Sequence, residues 1–262
     1  EKRALVVVPG FLAGADAYGG MKLALQSQGF TVHIAPVSRS MWYPTLFGRP
    51  FSPVLEAIDA AVEEASASSA SGVALVAHSA AGWLCRLWLG SATYNGSRYD
   101  GAKRVSLLLT LGTPHVSAEA YPFGRVRESR SGEDDAALDE AARGSSLAFT
   151  NLLYPGSFHD DVRYVSVIGD AIEGGGFPPL DSFLAASSYA ANTGGSGEGA
   201  RGDGITPIEC ASLEGAENVT LKGVYHQAPS EPWYGSPEVV ERWAPLLLEP
   251  SAIQMEEEKG RR

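Results

Sequence analysis

One serine of the chain lies where an apolar, strand-like run meets a helix-like run, and its neighbours are nearly all small. Residues 76–82 read Val-Ala-His-Ser-Ala-Ala-Gly, with Ser79 at the centre. A strand that turns directly into a helix crowds the backbone around such a serine and projects its hydroxyl above the sheet, beside a backbone N–H that can hold an oxyanion. The run favours a nucleophile elbow. An ordinary strand-to-helix turn with an exposed serine is the alternative.

Two further residues could supply the groups that a serine hydroxyl needs to become a nucleophile. A base must take its proton, and a carboxylate must orient the base. Asp203 lies between two glycines, in a loop that leads into an apolar segment, and His226 follows the last predicted strand. Each of the three lies at the end of an element, which makes them candidates for a nucleophile, an acid and a base.

Other acids and histidines compete for these roles. Asp170 ends a predicted strand, where a triad acid can also lie, although a helix cap or loop residue is the simpler interpretation. His115 and His159 are rival bases. His115 fits a structural residue after its strand, and His159, which two aspartates follow, fits a solvated loop. His33 lies in a predicted strand and is expected to be a hydrogen-bonded core or edge residue, and His78 is expected to pack beneath the site.

Two apolar groups could form the walls of a substrate pocket. Residues 41–47 include Trp42 among several aromatic side chains, and residues 177–184 include Phe183. We expect Trp42 and Phe183 to contact an apolar acyl or prenyl group, because ligand pockets are lined mainly by apolar and aromatic side chains. Packing in the core or in a lid is the alternative for both groups.

The sequence predicts no metal and no cofactor. Its His, Cys and acidic residues lack the spacing of a zinc site, and the glycines at 174–176 lack the Lys-Ser/Thr ending of a phosphate loop. The acidic pairs at 134–135 and 160–161 fit solvated loops better than calcium ligands. Cys85 and Cys210 cannot build a disulfide framework, which fits a reducing compartment.

Composition narrows the class of protein further. The 262 residues are 44% hydrophobic, enough for one large core. The chain has 31 acidic and 20 basic residues, so its formal net charge is −11. This balance argues against a nucleic-acid partner, because phosphate-binding surfaces concentrate Lys and Arg. No apolar run approaches the roughly 20 residues of a membrane-spanning helix.

Short apolar runs alternate with amphipathic runs along the chain. Strands are predicted at 4–8, 30–37, 73–77, 105–111, 162–168 and 218–224. Helices are predicted at 19–29, 53–67 and 239–248, and another begins at 83–89. The alternation indicates βαβ units, and therefore an α/β fold with a mostly parallel central sheet and helices on both faces.

We expect a single domain over residues 1–253 and a charged tail at 254–262. Two long stretches between predicted strands, 116–161 and 171–204, interrupt the alternation and are rich in Gly, Ser and charged residues. Irregular segments of this length in a compact domain are usually binding loops or lids. Both are therefore predicted to form a lid or cap, at least one of them over the serine.

Several motifs together resemble the α/β-hydrolase superfamily and, within it, the lipase-like branch. Residues 8–11 resemble the loop after the first lipase strand, with Pro9 where a histidine is usual. Residues 77–82 are similar to the Ala-His-Ser-x-Gly-Gly elbow of small lipases, with Ala81 replacing a glycine. Residues 111–115 resemble the loop after the next strand, and 203–207 the segment that holds the triad acid. Residues 233–237 look like plant and algal plastid members, including inositol-deacylase-like proteins.

The resemblance implies an α/β-hydrolase fold with Ser79 as nucleophile, His226 as base and Asp203 as orienting acid. The backbone N–H groups of Phe11 and Ala80 would form the oxyanion hole. The implied function is a serine carboxylic-ester hydrolase of the lipase or esterase type. Its partner would be a small apolar lipid or isoprenoid ester, such as an acyl, phytyl or xanthophyll ester.

The same resemblance leaves other activities open. A hydrolase-fold protein that binds a ligand without turnover is one alternative, and an acyltransferase or a lyase on this fold is another. An apolar substrate would also bring the protein into peripheral contact with membranes. The plastid relatives imply a chloroplast location, with the cytoplasm as the alternative.

Overall fold

The computed structural model describes residues 3–69, 72–118 and 145–248. Its strands are β1 (Ala4–Val8), β2 (Val32–Ile34), β3 (Val73–His78), β4 (Val105–Leu111), β5 (Arg163–Asp170), β6 (Ile172–Glu173), β7 (Arg201–Gly202) and β8 (Glu217–Lys222). Its α-helices are α1 (Gly19–Ser27), α2 (Arg39–Trp42), α3 (Ser52–Ser68), α4 (Ala81–Leu89), α5 (Ser146–Leu153), α6 (Leu180–Thr193), α7 (Ile208–Ala211) and α8 (Pro237–Trp243). Within these ranges, none of the helices has the length and apolar character needed to span a bilayer.

Six of the strands form one parallel sheet in the order β2-β1-β3-β4-β5-β8. Every residue of β1 and β3 is buried, as expected for central strands of a sheet covered by helices on both faces. The predicted parallel sheet is therefore confirmed. The strand predicted at 30–37 is shorter in the structure. It is β2, which has only three residues and lies at the edge of the sheet.

Apolar side chains of the sheet alternate between two cores, since successive residues of a strand point to opposite faces. Val6 of β1 packs in one core with Ile58 of α3 and Leu84 of α4. Val7, the next residue, packs in the other core, which includes Trp243 of α8. The predicted helices on both faces are therefore present.

The parallel order brings the loops after several strands to one edge of the sheet. Val8 of β1 pairs with Ala77 of β3, and His78 at the end of β3 pairs with Leu111 of β4. Ligands of open α/β sheets bind outside the carboxyl ends of the strands. This edge is therefore where the candidate residues should meet.

The structure corrects the expectation that residues 171–204 are irregular. Helix α6 occupies 14 of these residues, and the short strands β6 and β7 pair antiparallel on either side of it. In the other insertion, α5 lies within the described part. The residues 119–144 lie outside the described residues, as do the acidic pair at 134–135 and the predicted tail at 254–262.

The predicted closing helix at 239–248 also has different bounds. The α-helix begins at Pro237 and ends at Trp243, and a 3₁₀ turn, Ala244–Leu247, follows it. Pro245 lies in that turn, and proline lacks the N–H that would continue the α-helical hydrogen bonds.

Candidate active site

Ser79 occupies a strained turn between β3 and α4. Its φ is +55°, in the left-handed region that residues with a Cβ seldom adopt. Its N–H donates to the Leu111 carbonyl (2.8 Å), and its own carbonyl accepts the Thr113 hydroxyl (2.7 Å). Gly82 is required nearby, because a Cβ there would overlap the Thr113 side chain. Hydrogen bonds from the end of β4 and from the loop after it therefore hold the turn at Ser79 in place.

The side chains of Ser79, His226 and Asp203 form one continuous set of hydrogen bonds. His226 Nε2 lies 2.9 Å from Ser79 Oγ, and His226 Nδ1 lies 2.7 Å from Asp203 Oδ2. An ionised carboxylate can only accept, so Nδ1 carries the ring proton and Nε2 accepts the serine hydroxyl. The structure thus brings together the three residues that the sequence identified, in the geometry of nucleophile, base and acid.

The carboxylate of Asp203 is buried and accepts hydrogen bonds on both oxygens. Oδ1 accepts the backbone N–H groups of Ile205 (3.0 Å) and Thr206 (2.7 Å). Oδ2 accepts the Tyr234 phenol (2.8 Å) in addition to His226. Burial, together with the adjacent Asp203 charge, raises the pKa of Tyr234 well above its ordinary value, so the phenol keeps the proton that it donates.

Two glycines make room for this arrangement. Gly169, near the end of β5, donates its N–H to the Tyr234 hydroxyl (2.7 Å). Gly112 has a φ of +57°, and a Cβ there would lie 2.5 Å from Asp203 Oδ2 and 2.7 Å from the Tyr234 oxygen. The loop after β4 and the end of β5 can therefore approach Asp203 and Tyr234 only because these positions carry no side chain.

The residues predicted to form the oxyanion hole lie beside Ser79. Phe11 and Ala80 both line the cavity into which Ser79 opens. Ala80 precedes the first residue of α4, where helix N–H groups lack partners within the helix and the dipole favours negative charge. A Cβ on Gly10 would lie 2.9 Å from the Ser79 Cβ, so glycine lets the loop before Phe11 approach the serine.

The rival acid is engaged in another interaction. Asp170 Oδ1 lies 2.9 Å from Arg201 Nε and 2.8 Å from Arg201 Nη2. This pairing joins the end of β5 to β7, whereas the ring of His226 is bonded to Asp203. The geometry therefore favours Asp203 over Asp170 as the acid.

The rival histidines are also engaged elsewhere. His115 is fully buried, its Nε2 lies 3.1 Å from Thr110 Oγ1, and burial holds its pKa well below the ordinary value. His159 packs against the rings of Tyr154 and Phe158. His33 Nε2 contacts the Ser68 hydroxyl at 3.2 Å. His115 and His33 thus have structural roles, as expected, whereas His159 is half-buried against these rings and is not the solvated loop residue that the sequence suggested.

A cavity of about 370 Å³ opens at Ser79. This volume is within the range of pockets that bind small molecules. Its lining consists of the apolar or small residues Phe11, Phe51, Ala80, Trp83, Pro114, Leu147 and Ile205, and the polar residues Ser79, Ser117, Ser145, Ser188, Asn192 and Thr206. The cavity therefore offers surfaces for both apolar and polar groups of a ligand.

The structure revises the positions of the two predicted wall residues. Among the described residues, the cavity lining includes neither Trp42 nor Phe183. Trp42 is 0% exposed and lies behind the wall, with its ring 5.5 Å from Phe11 and 6.0 Å from Phe51. Phe183 is 46% exposed on α6. Trp42 thus supports the wall, and Phe51 and Trp83 form it.

Helix α6 is one wall of the cavity and is tied to the loop that carries Asp203. The Ser188 hydroxyl and the Asn192 amide both donate to the Ile205 carbonyl, at 2.8 and 3.1 Å. Tyr189 accepts the N–H of Gly204 at 2.9 Å. These bonds fix part of the predicted cap against the acid loop.

Sequence reasoning missed several residues of this site. Tyr234 and Thr113 lie in segments, 233–237 and 111–115, whose motifs indicate a resemblance but no role for these two side chains. Phe51 and Trp83 carry no local signal that separates a cavity wall from the core, because the same apolar side chains serve both. Their roles depend on distant parts of the chain meeting at the sheet edge.

Comparisons with known proteins bear on the fold. No protein-family model matches the chain, and no curated protein matches its sequence. Solved structures do match. The lipase BlEst2 of Bacillus licheniformis in its mature form superposes with a TM-score of 0.64 and 17% identity, over 95% of this chain and 93% of that one.

Two further structures show the same likeness. Phospholipase PlaB of Legionella pneumophila gives a TM-score of 0.58 at 14% identity, and 97% of this chain matches 61% of that one. A structure from the metagenome-derived lipolytic enzymes LipS and LipT gives 0.52 at 11% identity over 94% of both chains. Together with the parallel six-stranded sheet, these matches show that the chain has the α/β-hydrolase fold.

Proposed function

We propose that this protein is a serine carboxylic-ester hydrolase of the lipase or esterase type. The observation that carries the proposal is the set of hydrogen bonds from Ser79 Oγ to His226 to Asp203. The strained turn at Ser79 and the cavity at its hydroxyl add support. Fold alone does not define function, so the proposal depends on the chemistry of these side chains.

In the proposed reaction, Ser79 Oγ bonds to the ester carbonyl carbon while its proton passes to His226 Nε2. The N–H groups of Phe11 and Ala80 stabilise the oxyanion that forms, and Asp203 stabilises the charged imidazole. The carbon–oxygen bond to the alcohol then breaks, and the leaving alcohol takes the proton from His226. Water repeats the sequence on the acyl-enzyme, releases the acid and returns the proton to Ser79.

We further propose that the substrate is an apolar lipid or isoprenoid ester. Phe11, Phe51 and Trp83 form an aromatic wall, in which the Phe51 and Trp83 rings lie 5.3 Å apart. Such a surface favours an acyl or prenyl chain, because burial of apolar groups drives binding. The names of the matched lipases and of the phospholipase agree with a lipid-like ester. Phytyl and xanthophyll esters belong to the candidates.

The test is ester hydrolysis by the purified protein and two serine variants. A panel of p-nitrophenyl, phytyl and xanthophyll esters is incubated with wild type, Ser79→Ala and Ser187→Ala. Ser187 is an exposed serine on α6 and serves as the matched control. We expect wild type and Ser187→Ala to release acid and alcohol, and Ser79→Ala to lose at least about a thousandfold in kcat.

Two results would contradict the proposal. Equal hydrolysis by wild type and Ser79→Ala would remove Ser79 from the reaction. Transfer of the acyl group to an added alcohol, without release of free acid, would make the protein an acyltransferase.

We also propose the chloroplast as the compartment, on the resemblance of residues 233–237 to plastid proteins. Imaging of the full-length protein with a fluorescent fusion tests this. A signal outside the plastid would contradict it.

A further inference from the structure

We propose that Tyr18 and His78 are positioning residues that hold the oxyanion loop and the base in place through one buried chain of hydrogen bonds. The inference rests on the proposed hydrolase function, because it assigns the oxyanion loop and the base from that reaction. Neither residue lines the cavity in the part of the chain that the structure describes. Their effect would therefore act through Gly10 and His226, which they contact.

The chain of hydrogen bonds has only one consistent direction. His78 Nε2 lies 2.9 Å from the His226 carbonyl, which can only accept, so Nε2 carries the ring proton of the neutral His78. His78 Nδ1 must then accept the Tyr18 hydroxyl, which lies 2.7 Å away. The Tyr18 oxygen in turn accepts the Gly10 N–H at 2.9 Å. Every donor and acceptor in the chain is thereby satisfied.

Burial keeps this arrangement in one protonation state. Tyr18 is 1% exposed and His78 is 3% exposed. Burial, with the adjacent His226 acting in the same direction, lowers the pKa of His78 to about 3. Burial also raises the pKa of Tyr18 above its ordinary value. Both groups are therefore neutral at working pH, and the tautomer of His78 is fixed.

A neutral His78 also matters for the charge of the base. The rings of His78 and His226 lie 4.8 Å apart. In the proposed reaction His226 becomes a cation, and a second cation at this distance would oppose that step. A neutral donor in the same place holds the backbone without this cost.

The two ends of this series of hydrogen bonds are the oxyanion loop and the base, whose positions the proposed reaction requires to be well defined. At one end, Gly10 is the residue before Phe11, whose N–H is the proposed oxyanion donor. At the other end, His226 is held from both sides, since its N–H donates to the Asp203 carbonyl at 2.9 Å and its carbonyl accepts from His78. Tyr18 and His78 thus link strand ends that lie far apart in sequence.

Three substitutions test the two halves of this series of hydrogen bonds separately. The amide of Gln reaches the position of the imidazole Nε2, so His78→Gln keeps the donor to His226 and loses the acceptor for Tyr18. The amide of Asn reaches the position of Nδ1, so His78→Asn does the reverse. Tyr18→Phe removes the anchor of Gly10. Tyr154→Phe is the matched control, because Tyr154 is also buried and accepts one backbone N–H, that of Ala92.

The first measurement is the kinetics of ester hydrolysis together with thermal unfolding. We expect His78→Asn and Tyr18→Phe to lose about tenfold in kcat with KM changed less than about twofold, and His78→Gln to lose about threefold or less. Tyr154→Phe should lower the melting temperature and leave kcat as in wild type. Equal kcat losses in His78→Asn and His78→Gln would mean a packing role and overturn the inference.

The second measurement does not depend on hydrolysis. Long-range ¹H–¹⁵N spectra of histidine-labelled protein report the tautomer and titration of the His226 ring. We expect the His226 ring signals to shift in His78→Asn and to stay as in wild type in His78→Gln and Tyr154→Phe.

The two measurements together keep the outcomes distinct. Unchanged His226 signals in His78→Asn would overturn the positioning role. If wild type hydrolyses no ester, the proposed function fails, and these spectra still decide whether His78 positions His226. If Tyr18→Phe does not fold, the pair of His78 variants gives the answer alone.

Discussion

Tyr234 donates its phenolic proton to Asp203 Oδ2 at 2.8 Å, and that oxygen is also the one bonded to His226. The acid is thus held by a second side chain besides His226, one that the pattern of nucleophile, base and acid does not include. The phenol is fixed in turn by the Gly169 N–H. Its contribution to orienting His226 can be measured separately from that of the carboxylate.

Tyr234→Phe should therefore weaken catalysis without abolishing it. The variant keeps the ring and removes one hydrogen bond to a buried charge, a bond worth roughly 1.5–3 kcal/mol. We expect kcat for ester hydrolysis to fall between about tenfold and a hundredfold, with KM nearly unchanged. Steady-state kinetics of the folded variant check this. Wild-type kcat in the variant would show that the phenol has no part in orienting the acid.

The assignment of the acid predicts a ranking of two variants. Asp203→Asn loses the carboxylate that fixes the His226 tautomer, and we expect kcat to fall by about ten-thousandfold. Asp170→Asn weakens a partly exposed ion pair with Arg201, and its kcat should stay within a few-fold of wild type. The reverse ranking of the two kcat values would move the acid to Asp170.

The cavity predicts that activity rises with acyl length. Each buried methylene contributes about 0.8 kcal/mol, so four more could raise kcat/KM by about a hundredfold if the energy is realised in the transition state. We expect kcat/KM to rise from p-nitrophenyl acetate through butyrate to octanoate, with about that hundredfold between butyrate and octanoate, which differ by four methylenes. Leu147→Ala should flatten it, because Leu147 lines the cavity, and Phe183→Ala should not. A flat wild-type profile would contradict the apolar substrate.

The buried histidines predict loss of stability in acid. Burial lowers the pKa of His78 to about 3 and that of His115 well below its ordinary value. Between about pH 6.5 and these values, the unfolded chain binds protons that the folded chain does not, so stability falls as pH falls. Each histidine adds up to about 1.4 kcal/mol per pH unit to this slope.

Urea unfolding of wild type and His78→Gln between pH 4 and 6.5 measures that slope. The variant has one buried imidazole fewer, so its free energy of unfolding should change less steeply with pH. Equal slopes in the two proteins would show that His78 is protonated in the folded state.

Much of the fold could be predicted because its signals are local. β1 and β3 are apolar on both faces, which few structures other than a central parallel strand require. Ser79 and Asp203 also carry local signals, since small or glycine neighbours mark the turns in which they lie, and His226 is marked by its place after the last predicted strand. These signals lead to the sheet and to the three side chains that the structure brings together.

What the sequence could not predict depends on contacts between distant segments. The large apolar residues Phe183 and Leu184 of helix α6 are exposed, and the helix is tied by hydrogen bonds to the Asp203 loop, so its apolar pattern does not show which face packs. Trp42 and Phe51 are both aromatic residues in apolar segments, and no local signal distinguishes their roles. Only tertiary packing places Trp42 behind the cavity wall and Phe51 in it. Tyr18 and His78 are 60 positions apart, and nothing local marks their contact.

The most direct test of the account is covalent labelling of the nucleophile. Wild type and Ser79→Ala are treated with a fluorophosphonate that carries an alkyl chain, and the adduct is located by mass spectrometry of peptides. The account predicts one adduct per wild-type molecule, on Ser79, and no adduct in Ser79→Ala under the same conditions. A wild-type protein that stays unlabelled, or one that is labelled at another residue, would contradict the assignment of Ser79 as an activated nucleophile.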